Sequence, residues 1–140
     1  MAYKENKEIG SKGEDIACDY LKSQGYKIIE TNYRAKNFGE IDIVAIKGRK
    51  TVFVEVKTRT SDKMGRGDES INQRKLSALR RVCWIYIGHH PELPQSLRLD
   101  AILIMLSLDN RADYTVRHFE NLDVSGSYRF ALTKKFLKKS

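Results

Sequence analysis

The chain has 140 residues, of which 41% are hydrophobic and 31% are charged, and its formal net charge is +8. This length and balance are typical of one globular domain and exclude a disordered chain. No apolar run reaches the ~18 residues that a membrane span needs, and the polar N-terminus has no signal-peptide core, so we expect a cytoplasmic protein. The positive charge favours a polyanionic partner, either nucleic acid or an anionic membrane surface.

The first half of the chain shows one helical pattern and three strand patterns. Apolar residues recur with helical spacing over residues 6–24, and Gly25 supplies a helix stop. Strands are predicted over residues 26–34, 40–46 and 51–58, the last two from alternating apolar residues. Only a short turn separates these last two strands, which indicates a hairpin.

The second half of the chain shows a loop, a helix and two strands. Residues 60–68 contain two glycines and mixed charges, which predicts a loop. A second helix is predicted from near Asp68 to about Ile87. Residues 97–106 are apolar on both faces, as is typical of a central strand, and residues 113–121 are predicted as an edge strand.

The predicted order α-β-β-β-α-β-β indicates an α/β fold with a mixed central sheet flanked by helices. Residues 1–125 are expected to form a single domain. Residues 126–140 carry five basic side chains and no acid, and they are expected to form a basic C-terminal tail.

Charged residues occupy the predicted hairpin, although both of its strands are expected to be largely buried. With the turn centred between positions 48 and 49, facing positions have numbers that add up to 97. Asp42 is then predicted to face Glu55, and Glu40 to face Lys57, with about 5 Å between the Cβ atoms of a facing pair. An odd-length turn or a bulge would break this register.

Two facing carboxylates repel each other, and burial strengthens the repulsion. The charge is relieved if one acid keeps a proton, if Lys57 compensates it, or if Mg²⁺ or Mn²⁺ binds both Asp42 and Glu55. A salt-bridge cluster at the end of the sheet is the structural alternative. The metal interpretation fits phosphodiester hydrolysis, where a cation polarises the phosphoryl oxygen and acidifies a water, and where Lys57 orients the nucleophile or stabilises the developing charge.

The spacing of these residues resembles a nuclease signature. Asp42, followed by a Glu-Val-Lys run at residues 55–57, resembles the PD-(D/E)xK signature of restriction endonucleases and archaeal Holliday-junction resolvases, with Ile41 in place of the proline. Over about residues 9–105 the chain is similar to the YraN-like family of predicted bacterial nucleases. The segments that carry this resemblance are KGEDIACDYLKSQGYKIIETNYR, GEIDIVA, VFVEVKTR and LRLDAILI.

The resemblance implies a restriction-endonuclease-like core and assigns roles to four residues. Asp42 and Glu55 are implied to be metal ligands, and Lys57 to be the catalytic base or charge stabiliser. The acid of the family's first helix falls on Glu14, which is implied to be a supporting or additional metal ligand. From the helical pattern alone, Glu14 is equally a solvated glutamate beside the apolar stripe. Glu40 is a further candidate: it pairs with Lys57, binds a second cation as a ligand, or forms a simple salt bridge at the strand end.

Other basic residues near the predicted site are candidates for phosphate contacts. Lys75 lies in the apolar stripe of the second helix, where it either extends past the core or reaches a phosphate. Arg59 and Arg34 lie near the predicted rim, where they either contact a nucleic-acid backbone or are ordinary surface charges. Arg98 and Asp100 share a face of the predicted central strand and are expected to form a buried ion pair.

Three functions are open from the sequence. The first is a Mg²⁺- or Mn²⁺-dependent endonuclease that hydrolyses DNA, with branched or structured DNA implied by the resemblance. The second is a nucleic-acid-binding protein without turnover on the same fold, with DNA or RNA as its partner. The third is an interaction protein that uses the basic tail. DNA is favoured over RNA, no membrane partner is expected, and a homodimer would suit a small nuclease that cuts two strands.

Overall fold

Two helices and eight strands make up the part of the chain that the computed structural model describes, which is residues 2–60, 69–107, 109–110, 112–122, 128–130 and 137–139. In chain order they are α1 (Ala2–Ser23), β1 (Lys27–Arg34), β2 (Glu40–Lys47), β3 (Lys50–Thr60), β4 (Glu69–Ile71), α2 (Gln73–Gly88), β5 (Ser96–Leu106), β6 (Tyr114–Phe119), β7 (Tyr128–Phe130) and β8 (Leu137–Lys139). The predicted order of the long elements is confirmed, and the short strands β4, β7 and β8 are additional. Neither of these two helices is long and apolar enough to cross a membrane.

Six strands form one mixed sheet in the order β1-β2-β3-β5-β6-β8, and β4 pairs separately with β7. Neighbours in the six-stranded sheet are antiparallel except β3 and β5, which run parallel over eleven residue pairs. The chain passes from β3 to β5 through α2, as parallel neighbours require a crossover connection. The predicted α/β fold with a mixed central sheet flanked by helices is confirmed.

The two helices cover opposite faces of the six-stranded sheet. Alternate residues of a strand point to opposite sides. Val44 and Phe53 accordingly pack in the cluster that includes the apolar residues of α2, whereas Ile43 and Val54 pack in the cluster that includes those of α1. The central strands are therefore buried on both sides, which explains their nearly continuous apolar sequences.

Two glycines fix the position of α1. A Cβ added at Gly13 would lie 1.8 Å from Thr58 Oγ1 and 2.7 Å from Thr58 Cβ, so only glycine permits the helix to approach β3 this closely. The helix ends before Gly25, whose φ of +89° is a conformation that residues with a Cβ rarely adopt, as the predicted helix stop requires. The close approach of α1 to β3 and the position at which the helix ends determine where Glu14 lies relative to the sheet.

The second helix begins at Gln73, so the prediction that it starts near Asp68 was wrong. The three residues of β4 pair instead with β7, a contact between distant parts of the chain. Asn72 then caps α2, because its side chain accepts a hydrogen bond from the Lys75 N–H at 2.8 Å.

Three further predictions concern the loop before β4 and the C-terminal region. The loop predicted over residues 60–68 lies outside the described residues, except that Thr60 belongs to β3. The predicted tail, residues 126–140, supplies β7 and β8, while its separation from a domain over residues 1–125 stays a prediction. Because β8 pairs with residues 114–116 of β6, the prediction that β6 is an edge strand was wrong.

A buried polar network lies between α1 and the β5–β6 pair. Asp100 is fully buried and accepts hydrogen bonds from Arg98 Nε and from the Asn121 N–H, both at 2.9 Å. His118 Nε2 lies 2.7 Å from Asp100 Oδ2, and His118 Nδ1 lies 3.0 Å from the Tyr20 hydroxyl. Burial alone would raise the pKa of Asp100, but the hydrogen bonds from His118 and Arg98 hold it below its usual value. The predicted Arg98–Asp100 ion pair is confirmed.

Candidate functional site

The hairpin of β2 and β3 has the register that the sequence predicts. The residue numbers of each facing pair add up to 97, from the Lys47–Lys50 pair at the turn to the Ile43–Val54 pair. Gly48 occupies the first turn position with a φ of +60°, as a type II′ turn needs. This register directs the acids of the two strands toward each other.

The paired residues of β2 and β3 end at Ile43 and Val54. Beyond them, a side chain of β2 takes the place of a main-chain acceptor for β3. Asp42 Oδ2 accepts a hydrogen bond from the Val56 N–H at 2.7 Å. The carboxylate therefore satisfies a main-chain donor of β3 where the paired positions of the two strands end. Asp42 and Glu55 lie on the α2 side of the sheet, because each is two residues from a side chain that packs on that side.

The carboxyl groups of Asp42 and Glu55 lie close enough that each affects the pKa of the other. Burial, and then the charge of Asp42, raise the pKa of Glu55 to about 7. Burial also raises the pKa of Asp42, although the hydrogen bond from Val56 opposes this shift. Since burial and the neighbouring charge disfavour two ionised acids here, near neutral pH the pair either keeps one proton or accepts a cation in its place.

Two lysines approach this carboxyl pair from different elements. Lys57 Nζ, on β3, lies 3.7 Å from Glu55 Oε2, and Lys75 Nζ, on α2, lies 3.9 Å from the same oxygen. The Lys57 side chain is 24% exposed and the Lys75 side chain is 50% exposed. Lys57 is therefore the more firmly held cation, and Lys75 is the more accessible one. Both charges lower the pKa of Glu55, but burial and Asp42 outweigh them.

Glu14 approaches the site from α1, on the other face of the sheet. Burial and then the charge of Asp42 raise the pKa of Glu14, whereas a hydrogen bond with the Asn32 side chain lowers it. Asn32 has a φ of +56° within β1, a conformation that asparagine tolerates better than most residues. Asn32 was not among the predicted site residues, because an alternating strand pattern does not mark a residue with a left-handed conformation. Glu14 is thus held by Asn32 and coupled to Asp42 by charge.

Glu40 lies at the end of β2 and pairs with an arginine. It faces Arg34 across the β1–β2 ladder, and Glu40 Oε2 accepts a hydrogen bond from Arg34 Nη2 at 2.5 Å. Both side chains are largely exposed, Arg34 to 69% and Glu40 to 49%. Of the three alternatives for Glu40, the strand-end salt bridge is the observed contact, and its partner is Arg34.

A cavity of about 580 Å³ opens between α1 and the end of β3, with Lys57 in its lining. Glu14, Lys57 and Arg59 contribute charged groups to its lining, and Gly10 and Thr58 contribute small ones. Arg59 also donates a hydrogen bond to the Thr58 carbonyl at 2.7 Å. The volume lies in the range of ligand pockets, and the lining offers both charge signs to an occupant.

The carboxyl pair provides the donors that a hard divalent cation prefers. Within the described ranges, no three Asp, Glu, His or Cys side chains converge on one point, so the four predicted ligands Asp42, Glu55, Glu14 and Glu40 do not form a single cluster. Mg²⁺ commonly keeps several waters and binds through one or two carboxylates together with substrate phosphates. Two neighbouring carboxyl groups that repel each other without a proton supply that kind of donor set. Asp42 and Glu55 therefore fit Mg²⁺ or Mn²⁺ bound jointly with a phosphate.

Glu55→Gln is expected to stabilise the metal-free protein above neutral pH. The folded-state pKa of Glu55, about 7, is raised above the model value of 4.5, so the folded wild type holds an extra proton between these values. Its free energy of unfolding therefore falls as the pH rises through that window. Glutamine keeps the shape of the side chain without the charge, and we expect a gain on the order of 1–3 kcal/mol near pH 8 and almost none near pH 4. Urea denaturation at both pH values measures the difference.

Added Mn²⁺ serves as the control for this prediction. A cation that binds only the folded state raises stability by mass action, so Mn²⁺ near pH 8 should stabilise the wild type and leave Glu55→Gln nearly unchanged. Identical pH profiles for the wild type and the variant would contradict the raised pKa.

The fold and the site together define a class of protein. It is an α/β protein in which a buried carboxyl pair and two lysines meet where two antiparallel strands of a mixed sheet cease to pair. The chain matches the family described as "Uncharacterised protein family UPF0102" over residues 13–104, and it belongs to that family. The matched range contains Glu14, Asp42, Glu55, Lys57 and Lys75.

Relatives from several bacteria carry the same family name. A UPF0102 protein of Alkaliphilus oremlandii is 42% identical over 118 residues, which cover 83% of this chain and 97% of the relative. A UPF0102 protein of Thermodesulfovibrio yellowstonii is 42% identical over 115 residues, covering 81% and 94%. One of Mycolicibacterium vanbaalenii is 35% identical over 99 residues, covering 71% and 81%. The expected membership of the YraN-like family is confirmed as membership of the UPF0102 family. The names of these relatives specify no activity.

Proposed function

We propose that this protein is a Mg²⁺- or Mn²⁺-dependent endonuclease that hydrolyses phosphodiester bonds in DNA. The observation that carries the proposal is the carboxyl pair of the buried Glu55 and the half-buried Asp42, with Lys57 Nζ 3.7 Å from Glu55. This arrangement combines the oxygen donors of a hard cation with an amine held on the same strand. The resemblance to PD-(D/E)xK nucleases and the net charge of +8 support DNA as the substrate.

A second buried acid in the same chain argues against a purely structural role for the pair. Hydrogen bonds satisfy Asp100 so fully that, despite its burial, its pKa lies below the usual value. The pKa values of Asp42 and Glu55 are raised instead, mainly by burial. The hydrogen bonds and positive charges around these acids therefore do not offset the cost of burying their negative charge. Acids whose pKa values are raised by burial and by a neighbouring charge are typical of functional sites.

Each residue of the site supports a distinct role in hydrolysis. The cation, when bound, would polarise a phosphoryl oxygen and lower the pKa of a water molecule. Asp42 and Glu55 would hold the cation, and the Val56 N–H keeps Asp42 oriented. Lys57 would orient the attacking water or stabilise negative charge on the phosphate. Lys75, with its more exposed amine, would hold a neighbouring phosphate.

The test compares wild type and Asp42→Asn on single-stranded, duplex, flapped and branched DNA. Asparagine keeps an oxygen that accepts the Val56 N–H bond, but it lacks the charge that a hard cation requires. We expect the wild type to cut in Mg²⁺ or Mn²⁺ and not in EDTA. We expect Asp42→Asn to bind Mn²⁺ about 10- to 100-fold more weakly, with a matching loss of cleavage.

Glu40→Gln is the matched control for this experiment. It removes an exposed acid two residues away on the same strand, whose partner is Arg34. Since an exposed ion pair contributes little, we expect cleavage within about threefold of wild type. The proposal is contradicted if wild type cuts none of these DNAs with a divalent cation, or if Asp42→Asn cuts as fast as wild type.

A nucleic-acid-binding protein without turnover is the second candidate. One observation favours it: Lys57 and Lys75 already compensate part of the charge of Glu55, and the described residues supply no third acid to a metal cluster. This candidate predicts affinity that falls with salt, no dependence on divalent cations and no product. DNA rather than RNA as the partner, and a homodimer, stay predictions under both candidates.

A further inference from the structure

We propose that the outer face of α2 binds an unpaired stretch of DNA and stacks one of its bases on Trp84. The proposal rests on the proposed function, because it assigns part of the substrate to a surface next to the candidate site. Three features of α2 carry it: charge, an open groove and an exposed aromatic side chain.

The first feature is the charge of α2. Its sixteen residues, QRKLSALRRVCWIYIG, include four basic side chains and no acid. Among the residues that the structure describes, no acid forms an ion pair with Arg74 or with Arg81. A helix with this composition attracts a polyanion and repels other cationic surfaces.

The second feature is a shallow groove of about 510 Å³ on the outside of this helix. It is lined by Gln73, Arg74, Ser77, Ala78 and Arg81. The small side chains of Ser77 and Ala78 leave room between the two arginines. Arg74 and Arg81 are two helical turns apart, about 10 Å along the axis, so they can contact different phosphates of one strand.

The third feature is Trp84, which lies one turn beyond Arg81. It is 53% exposed, and Phe38, at 52%, is the other large hydrophobic side chain exposed in the described part of the chain. The sheet-facing side of α2 is filled by its buried residues, so the packing of the core does not explain Trp84. Indole rings on basic surfaces stack on nucleic-acid bases without reading their edges.

The groove begins in the same helical turn as the lysine that reaches the candidate site. Lys75, at the first turn of α2, lies 3.9 Å from Glu55. From there Arg74, Arg81 and Trp84 follow one another along the outside of the helix. A base is free to stack on a side chain only where it is unpaired, and the bound segment is therefore single-stranded.

The fluorescence of Trp84 tests the proposal directly, because the chain contains one tryptophan. A single-stranded oligodeoxynucleotide titrated into the wild type in EDTA should quench this fluorescence in a saturable way. A fully paired duplex of the same sequence should quench it far less. EDTA removes the divalent cation, so the titration reads binding without cleavage. Failure to cleave DNA would therefore overturn the proposed function and leave this measurement interpretable.

Variants on the helix surface provide the affinities, measured by anisotropy of a labelled oligonucleotide. Trp84→Ala should bind roughly 5- to 100-fold more weakly, whereas Trp84→Phe keeps a ring and should stay within a few-fold of wild type. Arg74→Gln with Arg81→Gln should weaken binding and reduce the slope of log affinity against log salt by about 1.4. Arg49→Gln, an exposed turn residue at the other end of the β2–β3 hairpin, is the control and should change neither quantity.

Three results would overturn the proposal. One is equal affinity of wild type and Trp84→Ala for single-stranded DNA. A second is tighter binding of a single-stranded RNA of the same sequence than of the DNA. The third is a dimer, seen by analytical ultracentrifugation without oligonucleotide, that Trp84→Ala dissociates, which would assign this face to a second copy of the chain. Trp84 is exposed, and thermal unfolding of each variant verifies that the fold is kept.

Discussion

Lys57→Ala is expected to lower the turnover of DNA by about 10²–10³-fold, the usual effect of removing one preorganised charge from a reacting centre. Lys57 is only 24% exposed and lies 3.7 Å from Glu55, so solvent cannot readily replace it. Its charge also lowers the pKa of Glu55. Without it this pKa rises further, and the remaining activity should move to higher pH. Single-turnover rates measured against pH report both effects.

Lys75→Ala is the matched comparison for Lys57→Ala, because both amines approach the same oxygen of Glu55. Lys75 is half exposed, and in our proposal it holds a phosphate that does not react. Its loss should weaken DNA binding, reduce the salt slope by about 1, and change single-turnover rates at saturating enzyme only a few-fold. Equal losses of turnover in the two variants would contradict this division of roles.

Gly13→Ala is expected to destabilise the protein by about 3 kcal/mol or more, beyond the usual cost of overpacking. The added Cβ would lie 1.8 Å from Thr58 Oγ1, so α1 or β3 must shift. Such a loss lowers the melting temperature by roughly 10 °C in a domain of this size. Because Glu14 follows directly in the chain, the same shift should also lower cleavage. Thermal and urea denaturation measure the first effect.

Gly10→Ala, in the same helix, is expected to have the opposite sign. A Cβ at Gly10 meets nothing within 4 Å in the described structure, so the substitution only improves helix propensity, by up to about 1 kcal/mol. Thr58→Ala removes the nearest atom and should partly rescue Gly13→Ala. Wild-type stability of Gly13→Ala would show that α1 does not approach β3 this closely.

The arrangement of the hairpin followed from local sequence, since a two-residue turn and alternating apolar residues determine which side chains face each other. Gly48 at the turn and the valines of β3 were enough to set this register as far as the Ile43–Val54 pair, which directly adjoins Asp42 and Glu55. The order of the long elements followed for the same reason, because each has its own period of apolar residues.

Features that depend on distant partners were not predictable in this way. Ile71 extends the apolar stripe of α2 by spacing, but its strand pairs with Tyr128, 57 positions later, and therefore lies outside the helix. Glu40 contacts Arg34 because β1, on the other side of β2, offers a closer cation than β3 does. His118 joins Asp100 and Tyr20 across 18 and 98 positions, and no local pattern reveals such contacts.

The parallel pairing of β3 with β5 has a consequence for how the protein folds. Each of its eleven contacts joins residues 46 positions apart, such as Lys50 and Ser96, whereas the β2–β3 hairpin closes through a two-residue turn. Loop-closure entropy therefore favours early formation of the hairpin and late docking of the crossover. The acids of the hairpin would therefore come together first, and Lys75 would reach Glu55 only when the crossover helix docks.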